Sequence, residues 1–202
     1  MLTLFEKILF VIALCVSLYA SYQVADRIMR TIRLGQGKID LGVIKKRIVP
    51  VFAKTIALQP TFRIRFGPSL FHALIAWGFL YYLLINIGDV LEGYISGFSF
   101  LGHGVIGNLY RLGGDVLSVG VLTGMIFMLI RRFIFKPTVL SAREDVLLNP
   151  KARSGIRRDS AIVGGFILLH VGSRFLGESF SIAAEGADAW QPFASTLSKL
   201  WI

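Results

Sequence analysis

The chain has 202 residues, of which 54% are hydrophobic and 17% are charged. Soluble domains average about 45–50% apolar and about 25% charged residues, so the composition excludes an ordinary water-soluble domain and indicates a membrane protein. The net charge of +10 would suggest a nucleic-acid partner in a soluble protein. The basic residues here lie between apolar segments, so we expect no nucleic-acid partner. The single cysteine, Cys15, excludes a disulfide framework and a thiolate metal site within these residues.

Four segments approach the length of about 20 apolar residues that a bilayer core requires, and they lie near 4–25, 67–92, 114–135 and 160–182. The first is predicted to be a retained helix, because no basic region precedes its apolar run as it would in a signal peptide. The third is long enough to span the bilayer core if the charged ends of Arg131 and Arg132 reach the interface. The fourth is the weakest, because it contains Arg174 and Glu178. We therefore predict an all-α polytopic membrane protein forming one domain over 1–202.

Three further segments have distinct patterns. Residues 41–58 mix aliphatic and basic side chains, which predicts an interfacial helix that meets anionic lipid or a soluble partner. Pro50 is expected to kink or split that helix. The polar, turn-rich connection over 136–159 is predicted to be a loop. A fifth apolar helix is expected to start near 190.

The basic residues are unevenly distributed. Eighteen of the 22 lysines and arginines lie in the connections between the first and second spans and between the third and fourth. The connection between the second and third spans holds only Arg111. Because positive residues concentrate in cytoplasmic loops, both basic connections should be cytoplasmic and the amino terminus should be outside.

Glycines recur in the later spans. Gly120 and Gly124 form a GxxxG pattern, and the fourth span contains Gly164, Gly165, Gly172 and Gly177. Such residues let helices approach closely in lipid, although membrane helices are also rich in glycine for general reasons. A compact bundle is favoured over four independent helices.

The chain has three histidines, and an ionisable residue within a membrane span is a functional candidate. His72 is predicted about one turn inside the cytoplasmic face, and His170 close to the middle of the membrane. His103 lies in the outer connection. Each has a simpler interpretation: a hydrogen-bonding core residue for His72 and His170, and a solvated residue for His103. The alternative is b-type haem, held by histidines from facing helices, with small residues making room for the ring. Those small residues would be Ala73, Ala76, Gly78 and Gly172.

The run FHALIAWGFLYYLLINIGDVLEG, preceded by Arg63, Arg65 and Gly67, resembles the second helix of the nitrate reductase gamma-subunit type of cytochrome b. It is most similar to versions associated with heterodisulfide-reductase-like iron–sulfur proteins, including electron-transfer-flavoprotein:menaquinone oxidoreductases. The third span ending MLIRRFIFKPTVL and the fourth ending RFLGESFSIA extend the similarity over nearly the whole chain.

The resemblance implies five helices that carry haem, with ligands on the second and fifth. Electrons would pass between the quinone pool, menaquinone or ubiquinone, and a cytoplasmic iron–sulfur protein or flavoprotein. It implies one or two haem b groups, with iron–sulfur clusters only in a partner or a later domain. The chain would be the membrane haem subunit or domain of a quinone-linked respiratory oxidoreductase in a bacterial or archaeal cytoplasmic membrane. His72 matches the family's cytoplasmic-side ligand.

The sequence departs from this family in two ways. The second histidine of that helix is expected near Tyr82, and the residues after 190 provide only the start of a fifth helix. We expect the polypeptide to continue past residue 202 and to supply a histidine that pairs with His72, which leaves His170 as the best local candidate for a second haem. The alternative is that His170, His103 or another subunit supplies the missing ligand.

Acidic and basic residues near the outer face leave further alternatives open. Arg174 and Glu178 are spaced i, i+4. They could form an ion pair on the helix face, or they could bind a quinone and exchange its protons. Asp89, Glu92 and Asp115 fit either a proton path or solvated helix ends. The competing function for the whole chain is a non-redox membrane anchor or assembly subunit. A small transporter is less favoured, because paired broken helices are not evident.

Overall fold

The computed structural model describes residues 2–35, 40–102, 104–141, 146–147 and 149–201. All regular structure in these residues is helical. The seven α-helices are α1 (Leu4–Arg33), α2 (Leu41–Ile56), α3 (Gln59–Ile64), α4 (Phe66–Tyr94), α5 (Val105–Ile130), α6 (Pro150–Glu185) and α7 (Pro192–Ser198). Four of them, α1, α4, α5 with the π-helical turn that follows it, and α6, are long and apolar enough to cross a membrane. The prediction of an all-α polytopic membrane protein is confirmed.

The chain divides into two compact units, one comprising Met1–Thr55 and Gly88–Phe100 and the other Ile56–Ile87 and Leu101–Ile202. In the first unit, α1 begins with a capping box in which Thr3 and Glu6 satisfy each other's main-chain N–H groups. Tyr94 joins α1 to the end of α4, because its hydroxyl donates to the Lys7 carbonyl at 2.9 Å. No residue of α1 is buried, so its apolar surface is available to lipid or to other helices.

The second unit is a bundle of α4, α5 and α6 around a core of Tyr82, Ile85, Val121, Met125, Ile167 and Val171. Close approaches pair Gly124 with Phe71 and Gly113 with Tyr81, so residue numbers rise along α4 as they fall along α5. Gly164 of α6 lies against Leu129 of α5, and residue numbers likewise rise along α6 as they fall along α5. Neighbouring helices are therefore antiparallel, and α4 and α6 run parallel to each other.

Glycines allow this packing. A Cβ on Gly78 would lie 2.2 Å from Val121 Cγ2, and one on Gly124 would lie 2.9 Å from the Phe71 carbonyl oxygen. By contrast, a Cβ on Gly165 or Gly177 would meet nothing within 4 Å. The GxxxG pair thus serves close helix packing, whereas Gly165 and Gly177 do not.

Two local predictions need correction. Residues 150–159 were expected in a loop but form the first turns of α6, because Pro150 occupies the first helical position and the Asn149 side chain accepts a hydrogen bond from the Lys151 N–H. Pro50 lies inside α2 without splitting it, and the other alternative, a kink at Pro50, stays a prediction. A proline removes only one main-chain donor, so the neighbouring turns can continue the helix.

The helix α7 begins close to position 190 and has seven residues, about 10 Å of helix. Asp115 on α5 holds its first turn, since the carboxylate accepts hydrogen bonds from the N–H groups of Phe193 at 2.7 Å and Ala194 at 2.9 Å. Arg111, one turn earlier on α5, forms an ion pair with Asp188 at 2.9 Å. That α7 starts a fifth membrane span stays a prediction.

Candidate functional site

His72 lines a cavity of about 460 Å³ between α4, α5 and α6. This volume lies in the range of about 300–1,000 Å³ that is typical of ligand and cofactor pockets. The His72 side chain is exposed, so the cavity is open at the surface of the bundle. Of the two histidines that the structure describes, His72 lines this cavity and His170 does not.

The start of α4 is held in place by hydrogen bonds to the preceding turns. The buried Ser69 hydroxyl donates to the carbonyls of Thr61 and Arg65, and Trp77 Nε1 donates to the Ile56 carbonyl at 2.8 Å. These contacts lie on both sides of His72 in the sequence. They fix its helical turn relative to α3 and the last residue of α2.

Apolar side chains form most of the cavity wall. The lining includes two methionines of α5, Met125 and Met128, whose flexible thioethers adapt to irregular space. The other apolar wall residues come from α4, α5, α6 and the turn after α5: Ile75, Leu129, Leu140, Val163, Gly164 and Ile167. The sequence reasoning did not identify the two methionines, although their i, i+3 spacing on one helix face was a usable signal.

Charged and polar groups lie at one end of this cavity. Arg131 and Arg132 follow the last turn of α5, and Asp159 and Ser160 come from α6. From the sequence, the two arginines were expected only at the interface, among the basic residues of their connection. The structure places them at a cavity that also contains an imidazole, so the site combines apolar walls, an imidazole and charged groups of both signs.

His170 lies in a different environment. Its ring is 5.9 Å from the Tyr82 ring in an edge-to-face arrangement, and 6.1 Å from the Phe166 ring with the planes nearly parallel. Tyr82 in turn bonds Ser118 through its hydroxyl at 2.6 Å. Aromatic packing of this kind is favourable for a partly buried histidine.

The two histidines do not face one another. His170 contacts Tyr82, which lies ten residues beyond His72 on the same helix, a rise of about 15 Å. His72 and His170 therefore lie at different levels of the bundle. His103 lies outside the described residues.

The other candidate residues have structural partners. Glu178 accepts a hydrogen bond from Gln191 Nε2 at 2.8 Å, and Glu92 accepts one from the Phe100 N–H at 2.7 Å. Asp115 is 4% exposed and caps α7, so it is not a solvated helix end. Arg174, on α6, is half-buried.

One of the small residues proposed to make room for a porphyrin has another role. Gly78 and Ala73 are buried, and Gly78 lies against Val121 of α5. Gly78 thus brings α4 and α5 together, and the open volume lies beside His72. In the part of the chain that the structure describes, no group of three or more histidine, cysteine, aspartate and glutamate side chains could hold a metal ion.

Comparison with known proteins gives no match. No family model matches this chain, and neither a curated protein nor a solved structure is significantly similar to it.

Proposed function

We propose that this chain is a membrane electron-transfer domain that binds b-type haem and relays electrons between the quinone pool and a cytoplasmic iron–sulfur protein or flavoprotein. The observation that carries the proposal is the position of His72 on an apolar cavity of about 460 Å³ within the helix bundle. The sequence resemblance to nitrate reductase gamma-type cytochromes b supports the same assignment, since His72 is the residue that matches a family ligand.

The residues around the cavity fit the chemistry of haem. An imidazole is a common axial ligand of haem iron, and the apolar walls suit the faces of a porphyrin. Arg131 and Arg132 would pair with its propionate groups through charge-assisted hydrogen bonds. Bound haem supplies reversible one-electron chemistry, while the protein sets the ligand, the surrounding polarity and the exclusion of water.

Besides His72, a second residue would hold the haem, and His170 lies at a different level of the bundle. Met125 and Met128 line the same cavity as His72, and thioether with imidazole is an established ligand pair of haem iron. A histidine from outside these residues is the other source, as the family resemblance implies. Replacing each methionine by leucine, which preserves volume approximately, distinguishes a methionine of this cavity from a histidine supplied from outside these residues.

The partner and quinone assignments rest on charge and on resemblance. All described residues of α2 are exposed, including the basic run Lys45, Lys46 and Arg47. Such a surface favours an acidic soluble partner and accelerates its association. Arg174 and Glu178 both stay candidates for a quinone site, and Glu178 accepts a hydrogen bond from Gln191.

The test is a reduced-minus-oxidised visible spectrum of the purified membrane protein, with haem quantified as its pyridine complex. We expect a b-type signal in the wild type, loss of the signal in His72→Ala, and retention in the matched variant Tyr19→Phe on α1. His170→Ala should leave the haem of the His72 cavity intact. Absence of haem in the intact protein, or an unchanged signal in His72→Ala, would overturn the proposal.

The second candidate function, a non-redox anchor or assembly subunit, is favoured by α1. This helix has 30 residues and none of them is buried, so its apolar surface is free to pack against lipid or against the helices of another subunit. Both functions predict membrane insertion and partner binding. Haem content separates them.

A further inference from the structure

A second, smaller cavity of about 160 Å³ is surrounded by cationic side chains at the end of α5. We call it the basic pocket, and its lining comprises Arg132, Lys136, Pro137, Leu140, Ser141 and Arg157. Three of these six residues carry a positive charge, and none of them is acidic. Like charges this close repel unless an anion lies among them, so the pocket is suited to a negatively charged ligand.

The backbone geometry brings these side chains together. After α5 the chain forms a π-helical turn, Arg131–Phe135, which ends at Lys136 in the left-handed conformation (φ 43°, ψ 51°). Short π-helical segments often occur at functional sites. The turn directs the chain back toward α6, which contributes Arg157. Arg157 lies over the Phe133 ring at 5.9 Å, which helps to fix its guanidinium group.

Arg132 retains unused hydrogen-bonding capacity in this pocket. Its Nη2 donates to the Ile156 carbonyl at 3.4 Å. Its Nε is buried and has no hydrogen-bond partner among the described residues. A buried donor without a partner is costly, and in native proteins such a group commonly indicates an ion, a water or a ligand. The planar donor array of arginine matches phosphate oxygens well.

The pocket also lies where the apolar part of a predicted membrane span ends. The uncharged stretch of α5 runs to Ile130, and the first basic residues follow immediately. Ile134 and Phe135 in the same turn are 69% and 71% exposed, which gives acyl chains an apolar surface beside the pocket. A ligand with a phosphate group and hydrocarbon chains would satisfy both features.

We propose that the basic pocket binds the phosphodiester headgroup of an anionic membrane phospholipid, with its acyl chains along Ile134 and Phe135. Arg132, Lys136 and Arg157 contact the phosphate oxygens. Clusters of basic residues at the cytoplasmic ends of spans are known to recognise anionic lipid headgroups. The basic pocket shares Arg132 and Leu140 with the His72 cavity, whereas Lys136, Pro137, Ser141 and Arg157 do not line that cavity.

The test is native mass spectrometry of the delipidated full chain, titrated with phosphatidylglycerol or with phosphatidylcholine. The matched pair is Arg157→Gln and Arg158→Gln, because Arg158 is adjacent on α6 and its side chain is 78% exposed outside the pocket. We expect wild type to bind phosphatidylglycerol at least tenfold more tightly than phosphatidylcholine. Arg157→Gln should weaken phosphatidylglycerol binding about tenfold, and Arg158→Gln less than twofold. Lys136→Gln provides a second pocket variant if Arg157→Gln does not fold.

Competition with inorganic phosphate distinguishes a lipid from a free anion. Millimolar phosphate should leave the phosphatidylglycerol adduct in place, because it lacks the acyl-chain contacts. Displacement of the lipid by phosphate would overturn the lipid assignment. Equal losses in Arg157→Gln and Arg158→Gln, or equal binding of the two lipids, would overturn the site itself.

Discussion

Replacing Asp115 with alanine should release α7 from the side of α5. The Asp115 carboxylate accepts one hydrogen bond at each oxygen, from the N–H groups of Phe193 and Ala194. Both the carboxylate and Ala194 are buried, so water cannot readily replace the lost contacts. The substitution therefore removes the cap of α7 and leaves at least one buried donor without a partner.

The size of this effect follows from the number of hydrogen bonds. A hydrogen bond to a charged group contributes about 1.5–3 kcal/mol, so, at the lower end of this range, loss of both bonds should destabilise the closed position of α7 by about 3 kcal/mol. This corresponds to about a 100-fold increase in the open population. Asp115→Asn retains one acceptor oxygen and should cost about half as much, or about tenfold.

Hydrogen–deuterium exchange of the purified full chain measures this opening directly. Exchange protection of peptides covering Pro192–Ser198 should be highest in the wild type, lower in Asp115→Asn and lowest in Asp115→Ala. Exchange of peptides from α4 should remain unchanged. Asp26→Ala is the matched control, because Asp26 forms an exposed i, i+4 pair with Arg30 on α1. Such pairs contribute little. Unchanged exchange of α7 in Asp115→Ala, or the same change in Asp26→Ala, would refute this role of Asp115.

Two further substitutions test the packing of the second unit. Gly124→Ala places a Cβ about 2.9 Å from the Phe71 carbonyl oxygen, so the variant should lower the free energy of unfolding by about 1–3 kcal/mol, measured by thermal melts in detergent. The control is Gly165→Ala, whose Cβ meets nothing within 4 Å, and which should be neutral or slightly stabilising. Equal transition temperatures of the two variants would contradict the close packing. Tyr82→Phe removes the 2.6 Å contact with Ser118 and should lower the free energy of unfolding by about 1 kcal/mol in the same melts. In the Ser118→Ala background, Tyr82→Phe should have no further effect on stability, which would confirm the pairing.

The helical architecture could be predicted from local sequence because membrane crossing is a local property. A run of about 20 apolar residues has to form a helix in lipid, where every main-chain polar group needs an internal partner. This reasoning gave the four long helices α1, α4, α5 and α6, whereas the short helix α3 was not predicted. Boundaries were less accurate. The start of α6 depends on the cap provided by Asn149 and Pro150, and the polar residues that follow the cap resembled a loop in composition.

The candidate site could be predicted only in part. His72 was identified because an ionisable side chain near an apolar span is unusual, and the structure places it on a cavity. Met125 and Met128 were not identified, because methionine is an ordinary residue of a membrane helix, and the cavity they line also depends on residues of α4 and α6. Small residues on α4 were interpreted as room for a cofactor, but Gly78 fills its space with Val121 of α5.

The sequence by itself determined the class of protein, the number of long helices and the concentration of basic residues in two connections, since each depends on composition and on neighbouring residues. Only the tertiary structure decided that His72 and His170 lie at different levels of the bundle, that Asp115 caps a helix 78 residues away, and that Arg132, Lys136 and Arg157 surround one pocket. These arrangements join residues from different helices. Their distances depend on how side chains pack between helices, which hydrophobic pattern and local propensity do not specify.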